Sequence, residues 1–321
     1  MIEKYISLIE KEITKQKFGK EPESLYEPIR YIMALGGKRM RPLLTALSYS
    51  LYKNDVEQII PYAVAVEAFH NFTLLHDDIM DKAPLRRGKP TVHEKWNVNT
   101  AILSGDVMLV KVYDMFLSLE ERKLKKILSL FNICAAQVCE GQQWDMEFET
   151  RGTVTEKQYL EMIKLKTAVL LGFSLELGAV LANAPVEDQK ALRDFGVNIG
   201  IGFQLKDDWL DVYGVKAKFG KQVGGDILAN KKTFLLIKAL ERSKGSQRKD
   251  LQAWLSLKKF KKAEKINAVT AIYNNLDLSS TTESKMNYYF QKGFQSLNRV
   301  SKKEKIKSII DFTKNIIRRE S

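Results

Sequence analysis

The sequence has little cysteine, little proline and no long uninterrupted apolar run. Cys134 and Cys139 are the only cysteines among 321 residues, and their spacing makes no CxxC pair. This excludes a disulfide scaffold and gives no zinc-finger pattern, so we expect a reducing, cytoplasmic compartment. Seven prolines and eighteen glycines exclude collagen-like and Pro-rich architectures.

Signals for secretion and membrane insertion are also lacking. The opening residues, MIEKYISLIEKEITKQK, mix charged with apolar positions, which predicts no signal peptide. The longest apolar stretch, Ala168 to Ala184, carries Ser174 and Glu176 near its middle. It is short and polar for a membrane span and is typical of a buried helix in a bundle. We therefore expect no stable membrane insertion.

The positive charge is concentrated toward the carboxyl end. The whole chain has 52 Lys and Arg against 39 Asp and Glu, a formal net charge of +13. From Ser243 to Ser321 it holds 18 basic and 7 acidic residues. Such a segment could meet a nucleic acid, an acidic membrane surface or a polyanionic ligand, or could be a solvated lysine-rich face. No finger, RRM or KH signature occurs, so we expect no nucleic-acid partner.

Helical periodicity runs through nearly the whole chain. Near the start, Ile2, Tyr5, Ile6, Ile9 and Ile13 recur at the spacing of one helix face. Alternating apolar and polar runs between tight-turn pairs are absent, so strands lack their usual signal. No linker-like composition divides the chain. The sequence predicts an all-α fold: one domain over residues 1–321, built as a single large helical bundle around a central cavity.

Two acidic motifs of the form DDxxD stand out, one in HDDIMD and one in KDDWLD. They supply Asp77, Asp78 and Asp81, and then Asp207, Asp208 and Asp211. At 3.6 residues per turn, the first and last acids of each motif lie within about 40° of each other on one helix face. Carboxylates this close repel one another, and a hard cation such as Mg²⁺, which takes oxygen ligands, would relieve that repulsion.

The simpler alternative for each motif is an acidic turn on a solvated helix. Both motifs, however, lie among apolar residues such as Leu75, Ile79, Leu205 and Leu210. Burying bare aspartates is costly unless they are paired or bound to metal. Two copies in apolar helices therefore favour a site for two or three metal ions.

Basic residues accompany the acidic motifs along the chain. They are Lys38, Arg39 and Arg41 behind a Gly-Gly pair, Arg86 and Arg87 after the first motif, Lys166 in mid-chain, and Lys221 and Lys231 after the second motif. Arginine forks suit phosphate oxygens, and lysine supplies a point charge. Each cluster alone is typical of a solvated surface. Together they favour a substrate with several phosphates bridged by Mg²⁺.

These motifs resemble those of the trans-isoprenyl diphosphate synthase (polyprenyl synthetase) family. The matching segments are GGKRMRP, HNFTLLHDDIMDKAPLRRGKPTVH, LKT, GFQLKDDWLD and GKQVGGDILANKKT, in the family's order over residues 36–233. The resemblance implies a homodimeric, all-α fold whose helices surround a deep cavity. It also implies Mg²⁺-dependent head-to-tail condensation of isopentenyl diphosphate with an allylic diphosphate, using three ions, with Mn²⁺ as a substitute.

The resemblance also assigns roles to single residues. The predicted metal ligands are Asp77, Asp81, Asp207 and Asp211, with Asp78 and Asp208 supporting them. The allylic diphosphate is assigned to Arg86, Lys166, Lys221 and Lys231, and isopentenyl diphosphate to Lys38, Arg41, His70 and Arg87. Thr167 and Gln204 match groups beside the developing allylic cation. The expected catalytic residues are Asp77, Asp81, Lys166, Thr167, Gln204, Asp207 and Lys221. Asn230 stands where the family often has glycine.

Product length is expected to depend on Phe72 and Phe69. Phe72 lies five residues before Asp77, about 7.5 Å back along the helix, and Phe69 lies about 12 Å back. Rings there would form a floor that another five-carbon unit could not pass without displacing them. The alternative is that both rings only pack between helices. An aromatic residue at the first position resembles the short-chain members, so we expect farnesyl or geranylgeranyl diphosphate, with fifteen to twenty carbons.

Three other functions fit parts of the sequence. A class I terpene cyclase would pair one DDxxD with a different second motif, and the intact DDWLD argues against it. A non-catalytic subunit of a heteromeric synthase would typically have lost site residues, which are present here. An RNA- or membrane-binding helical protein is supported only by the lysine-rich end.

Overall fold

The computed structural model describes residues 1–214 and 224–318, and their regular structure is almost entirely helical. The helices are α1 (Ile2–Lys15), α2 (Glu23–Ala34), α3 (Met40–Ser50), α4 (Ile60–Met80), α5 (Val92–Lys95), α6 (Val98–Phe116), α7 (Glu121–Thr150), α8 (Glu156–Ile163), α9 (Val169–Leu181), α10 (Val186–Tyr213), α11 (Gly225–Leu228), α12 (Phe234–Arg242), α13 (Gly245–Ser256), α14 (Lys262–Asn275), α15 (Leu278–Ser296) and α16 (Lys307–Arg318). The prediction of an all-α fold is confirmed. Among the described helices, none combines the length and apolar content that a membrane span needs.

Contacts divide the chain into two compact units. The first contains Met1–Ile133 and Phe173–Arg193, and the second contains Cys134–Gly172 and Asp194–Ser321. That residues 1–321 form a single domain stays a prediction.

The core of the first unit forms around α4. This helix packs most extensively against α6 and also contacts α1, α2 and α3. Of the apolar face predicted for α1, Tyr5, Ile9 and Ile13 are buried. Phe131 of α7 lies at the centre of an aromatic cluster with Phe69, Tyr113, Phe116 and Phe173. The apolar rings fix the position of α4, which carries the first acidic motif.

A buried arginine joins the helices of the first unit at the start of α3. Arg39, only 3% exposed, donates to both carboxylate oxygens of Glu10 on α1 and to Glu67 on α4. It also donates to the Met33 carbonyl on α2, at 2.8 Å. Because a buried guanidinium needs paired charges and hydrogen bonds, these four helix segments are tied to one side chain. Of the basic residues in GGKRMR, this one is structural.

A short hairpin follows the first acidic motif, where the sequence shows no strand signal. Strands β1 (Leu85–Arg86) and β2 (Lys89–Pro90) are antiparallel, with Leu85 opposite Pro90. The turn residues Arg87 and Gly88 both have positive φ, 52° and 74°. Two consecutive left-handed residues are what a tight two-residue hairpin turn requires. The two strands have two residues each, which is too short for an alternating apolar and polar pattern, so the sequence carries no strand signal here.

In the second unit, α8 starts at a capping box in which Thr155 and Gln158 satisfy each other's backbone N–H groups. A π-helical turn, Lys164–Ala168, connects α8 to α9. Gly141 of α7 allows the close approach of this turn, since a Cβ there would lie 2.1 Å from the Lys166 backbone nitrogen. The π turn places Lys166 and Thr167 side by side, and π turns of this kind often lie at functional sites.

The long apolar stretch proves to be the interior helix that its sequence predicts. Every residue of α9 is buried. Its one acid, Glu176, is 6% exposed and lies 3.7 Å from Arg193.

Candidate active site

The first acidic motif lies at the carboxyl end of α4. Asp77 and Asp78 occupy its last turn, and Asp81 follows the last helical residue. Asp78 is 2% exposed and accepts two hydrogen bonds from Arg86 of the hairpin, Nε–Oδ2 at 2.7 Å and Nη2–Oδ1 at 2.6 Å. Asp77 is half-buried and Asp81 is exposed. The bidentate pair favours a supporting role for Asp78, and Asp77 and Asp81 are both more exposed than it.

The glycine pair before Lys38 brings the first basic segment against the hairpin. Gly36 and Gly37 have φ values of 76° and 138°, which L side chains rarely adopt. Arg87 donates to the Gly36 carbonyl, and a Cβ on Gly37 would lie 2.9 Å from the Arg87 Nη2 atom. The predicted isopentenyl diphosphate residues Lys38, Arg41 and Arg87 therefore belong to neighbouring segments of one unit.

His70 lies on α4, two turns before Asp77. Burial lowers its pKa well below 6.5, and the positive charges of Arg41, Arg87, Arg86 and Arg39 lower it further. The imidazole is therefore neutral at pH 7 and is surrounded by four cations. A neutral ring can donate a hydrogen bond to a phosphate oxygen from one nitrogen and accept a bond at the other.

The predicted floor residues both lie in the first unit on α4. The Phe72 ring is 9% exposed and lies 4.8 Å from the His76 ring and 5.6 Å from Phe69, centre to centre. Phe69 is 1% exposed and packs 5.0 Å from Phe131. Phe72 is thus at the edge of the aromatic cluster, and Phe69 is inside it.

The second acidic motif repeats the arrangement of the first on α10. Asp207 is exposed and Asp211 half-buried, whereas Asp208 is 6% exposed. The Tyr159 hydroxyl donates to Asp208 Oδ2, and the Gln204 amide nitrogen donates to Oδ1 at 3.0 Å. Burial raises the pKa of Asp208, and the negative charge of Asp226 raises it further. As in the first motif, the middle acid is engaged by protein donors, which favours a supporting role for it.

The hydrogen bonds to Asp208 orient the groups predicted to face an allylic cation. Because the Gln204 amide nitrogen faces a carboxylate, its Oε1 atom is directed away from Asp208. The Thr167 hydroxyl donates to that oxygen at 3.3 Å. Tyr159, Asp208, Gln204 and Thr167 thus form one connected hydrogen-bonded chain. Sequence reasoning missed Tyr159, which carries no recognisable pattern.

Asp145 of α7 is a further acid that sequence reasoning missed. Its Oδ2 atom lies 2.6 Å from the Lys166 ammonium and 3.7 Å from that of Lys231. Burial acts to raise the pKa of Asp145, but Lys231 and Lys166 outweigh it and hold the pKa below its usual value. Two lysines predicted to bind the same diphosphate are therefore held together by one carboxylate. The third, Lys221, lies outside the described residues.

The turn after the second motif also contacts it. The Asp226 backbone N–H donates to Asp211 Oδ2 at 2.9 Å, and the Gly224 N–H donates to the Asp211 carbonyl at 2.6 Å. Asp226 lies in the segment GKQVGGDILANKKT, and the sequence alone assigns it no role. Its position couples the last acid of the second motif to the turn that carries Lys231.

The donor set fits a hard divalent cation. Within residues 1–214 and 224–318, no group of three or more His, Cys, Asp or Glu side chains could hold a metal by itself. The more exposed acids of the two motifs offer only carboxylate oxygens. Mg²⁺ is commonly bound by one or two carboxylates, with water and substrate phosphates completing its six oxygens. The residues present therefore suit Mg²⁺ bound together with a phosphorylated substrate.

This all-α fold with two DDxxD motifs defines a class of phosphate-handling helical enzymes. A family model described as polyprenyl synthetase matches residues 22–273. The chain belongs to the polyprenyl synthetase family, as the resemblance predicted.

Relatives from archaea share most of their length with this chain. The short chain isoprenyl diphosphate synthase of Methanocaldococcus jannaschii is 40% identical over 256 residues, which cover 79% of this chain and 78% of that protein. The geranylgeranyl diphosphate synthase of Sulfolobus acidocaldarius is 37% identical over 300 residues, 92% and 90% of the two chains. A crystal structure of a geranylgeranyl pyrophosphate synthase superposes with a TM-score of 0.95 at 41% identity, covering 100% of this chain and 99% of that one.

His70→Gln should reduce the pH dependence of stability. Because the unfolded histidine titrates near 6.5 and the folded one well below it, the wild type should lose stability as the pH falls through 6.5. His70 should account for a loss of about 1 kcal/mol in the free energy of unfolding between roughly pH 7.5 and 5.5. Urea unfolding of both proteins at the two pH values, at one protein concentration, measures it. An equal pH dependence of wild type and variant would contradict a neutral His70.

Proposed function

We propose that the chain condenses isopentenyl diphosphate with an allylic diphosphate, forming a short-chain all-trans prenyl diphosphate and releasing pyrophosphate. Membership of the polyprenyl synthetase family makes it a prenyl-transferring enzyme. The observation that carries the proposal is the repeated arrangement of the acidic motifs. In each motif the middle aspartate is buried and accepts hydrogen bonds from protein side chains, whereas the first aspartate is more exposed.

Asp77, Asp81, Asp207 and Asp211 are the residues we propose to hold Mg²⁺, with three ions as the number that the resemblance implies. The bound ions supply charge neutralisation for the departing diphosphate. The protein's own contribution is to orient the acids. Consecutive helix residues are about 100° apart, so burying Asp78 or Asp208 turns the preceding aspartate outward.

Cationic side chains bind the two diphosphates. Lys166 and Lys231, already held close by Asp145, bind the allylic diphosphate with Arg86. Arg86 also remains paired with Asp78, so its guanidinium can reach a phosphate only from its remaining donors. Lys38, Arg41 and Arg87, with neutral His70, bind isopentenyl diphosphate.

The allylic cation needs acceptor dipoles and the exclusion of water. Thr167 and Gln204 provide side-chain oxygens whose orientation is fixed by Asp208 and Tyr159. Preorganised dipoles of this kind stabilise developing charge without reorganising during the reaction. The alkene carbon of isopentenyl diphosphate then forms the new C–C bond, and loss of a proton gives the product.

Chelation of divalent metal should abolish turnover, and added Mg²⁺ or Mn²⁺ should restore it. Asp77→Asn and Asp207→Asn should each lower kcat by about 10²-fold or more, because the leaving group loses its counter-charge. Pyrophosphate release from geranyl diphosphate plus isopentenyl diphosphate measures this, with circular dichroism as the folding check. Asp114→Asn, an exposed aspartate on α6, is the matched control and should keep wild-type turnover. Turnover in chelator would contradict the proposal.

We propose that the product has fifteen to twenty carbons, with its tail ending at Phe72. Phe72→Ala should therefore lengthen the main product by at least one five-carbon unit. Adding Phe69→Ala should lengthen it further, at a stability cost of about 3 kcal/mol because that ring is in the core. Mass spectrometry of the dephosphorylated products measures the length. Phe116→Leu, in the same aromatic cluster, should leave the length unchanged, and an unchanged length in the double variant would place the floor elsewhere.

We also propose a homodimer formed through α6. Leu103 and Val110, seven residues apart on this helix, are each 57% exposed, and Ile133 of α7 is 56% exposed. Tyr113 of α6 donates to Asn132 of α7 at 2.6 Å, so the two helices meet beside this surface. An apolar face of this kind is typical of an interaction surface. A second copy is the occupant that the resemblance implies.

Val110→Glu should convert the dimer to a monomer, because it places a charge within the apolar face. Light scattering after size exclusion should give about twice the 36.8 kDa chain mass for the wild type and the chain mass for the variant. Asn54→Glu, at an exposed polar position outside α6 and α7, should remain dimeric. A monomeric wild type, or a dimeric Val110→Glu, would contradict the proposed interface.

A further inference from the structure

Lys265 of α14 is fully buried, with 0% of its surface exposed. Its ammonium donates to Asn230 Oδ1 at 2.7 Å and to the Leu228 carbonyl at 3.4 Å, and it lies 4.3 Å from the centre of the Phe260 ring. Within the described ranges, no carboxylate forms an ion pair with it. Burying a cation without a counter-ion costs free energy. An apolar side chain would fill the same space without that cost. Its hydrogen bonds instead all go to the turn at residues 228–230.

Asn230 is the residue through which Lys265 acts on this turn. Its backbone has a positive φ of 53°, and asparagine is among the few residues that tolerate this conformation. Its amide nitrogen donates to the Leu255 carbonyl of α13 at 3.0 Å, while its oxygen accepts from Lys265 of α14. Residues of α13 and α14 therefore hydrogen-bond to the nitrogen and the oxygen of the Asn230 side-chain amide. These two bonds fix the conformation of Asn230, and with it the direction of the backbone that follows.

The next residue is Lys231. Its backbone N–H donates to the Asp226 carbonyl at 2.9 Å, and its ammonium lies 3.7 Å from Asp145, the carboxylate that also holds Lys166. The Lys231 side chain is 43% exposed, so the position of its ammonium depends on where its backbone lies. The backbone conformation of Asn230 thus determines the position of the Lys231 backbone.

We propose that Lys265 and Asn230 are positioning residues that set Lys231 for the allylic diphosphate. This inference rests on the proposed function. Neither side chain contacts the substrate; Lys265 acts through Asn230, and Asn230 acts through the backbone of Lys231. The same role predicts that Asn230→Gly, which keeps the positive φ without strain but loses both hydrogen bonds, resembles Lys265→Met.

A double-mutant cycle on Lys265 and Lys231 tests the proposal. Lys265→Met should raise the KM for geranyl diphosphate about fivefold, with the KM for isopentenyl diphosphate changed less than about twofold. In a Lys231→Ala background, Lys265→Met should change the KM for geranyl diphosphate by less than about twofold. The lysine side chain that Lys265 is proposed to position is absent from that background. Lys262→Met, an exposed lysine on the same helix, should match the wild type in both backgrounds.

Hydrogen exchange supplies a readout that does not depend on turnover. Peptides covering residues 229–233 should exchange faster in Lys265→Met and in Asn230→Gly than in the wild type or Lys262→Met. Unchanged exchange, or equal KM increases in both Lys231 backgrounds, would overturn the positioning role and indicate a purely structural lysine. A wild type that turns over no substrate would instead overturn the proposed function, and exchange alone would then decide whether Lys265 orders the turn.

Discussion

A carboxylate that leaves water must be matched by a cation or by hydrogen-bond donors, and this requirement shapes both acidic motifs. Asp78 accepts both arms of Arg86, and Asp208 accepts bonds from Tyr159 and Gln204. Since neighbouring helix positions differ by about 100°, turning one aspartate of a DD pair inward turns the other outward. The buried acid accepts hydrogen bonds from protein side chains, and the aspartate before it is more exposed.

The same requirement explains how lysines are kept close together before any phosphate arrives. Lys166 and Lys231 would repel each other, but Asp145 lies within 3.7 Å of both ammonium groups. Their side chains are therefore already restricted, and a diphosphate that bound them would cost less conformational entropy than one that had to gather two mobile lysines. Asp145 is half-buried beside these cations and acts as their shared counter-ion in this arrangement.

The sequence predicted what depends on local spacing. Helical character, the buried face of α1 and the interior position of α9 all follow from periodicity and are found in the structure. It could not separate Arg39 from its basic neighbours, because only its burial between Glu10 and Glu67 makes it structural.

Asp145 and Lys265 were missed for a different physical reason. Asp145 meets its lysine partner 21 positions away, and Lys265 meets Asn230 35 positions away. Pairings across such separations depend on how helices pack and leave no repeating pattern along the chain. The hairpin at residues 85–90 gives no sequence signal because each of its strands has only two residues, too few to show alternation.

The π turn at Lys164–Ala168 accommodates one residue more than an α-helical turn. Because the bulge absorbs that residue locally, α8 and α9 keep their relative phase on either side of it. Deleting one residue here would give a regular helix and would change only the side chains that this turn presents. Lys166 and Thr167 could then no longer both lie beside Asp145 and Gln204. These two contacts therefore depend on a local irregularity that the packing of the flanking helices does not need.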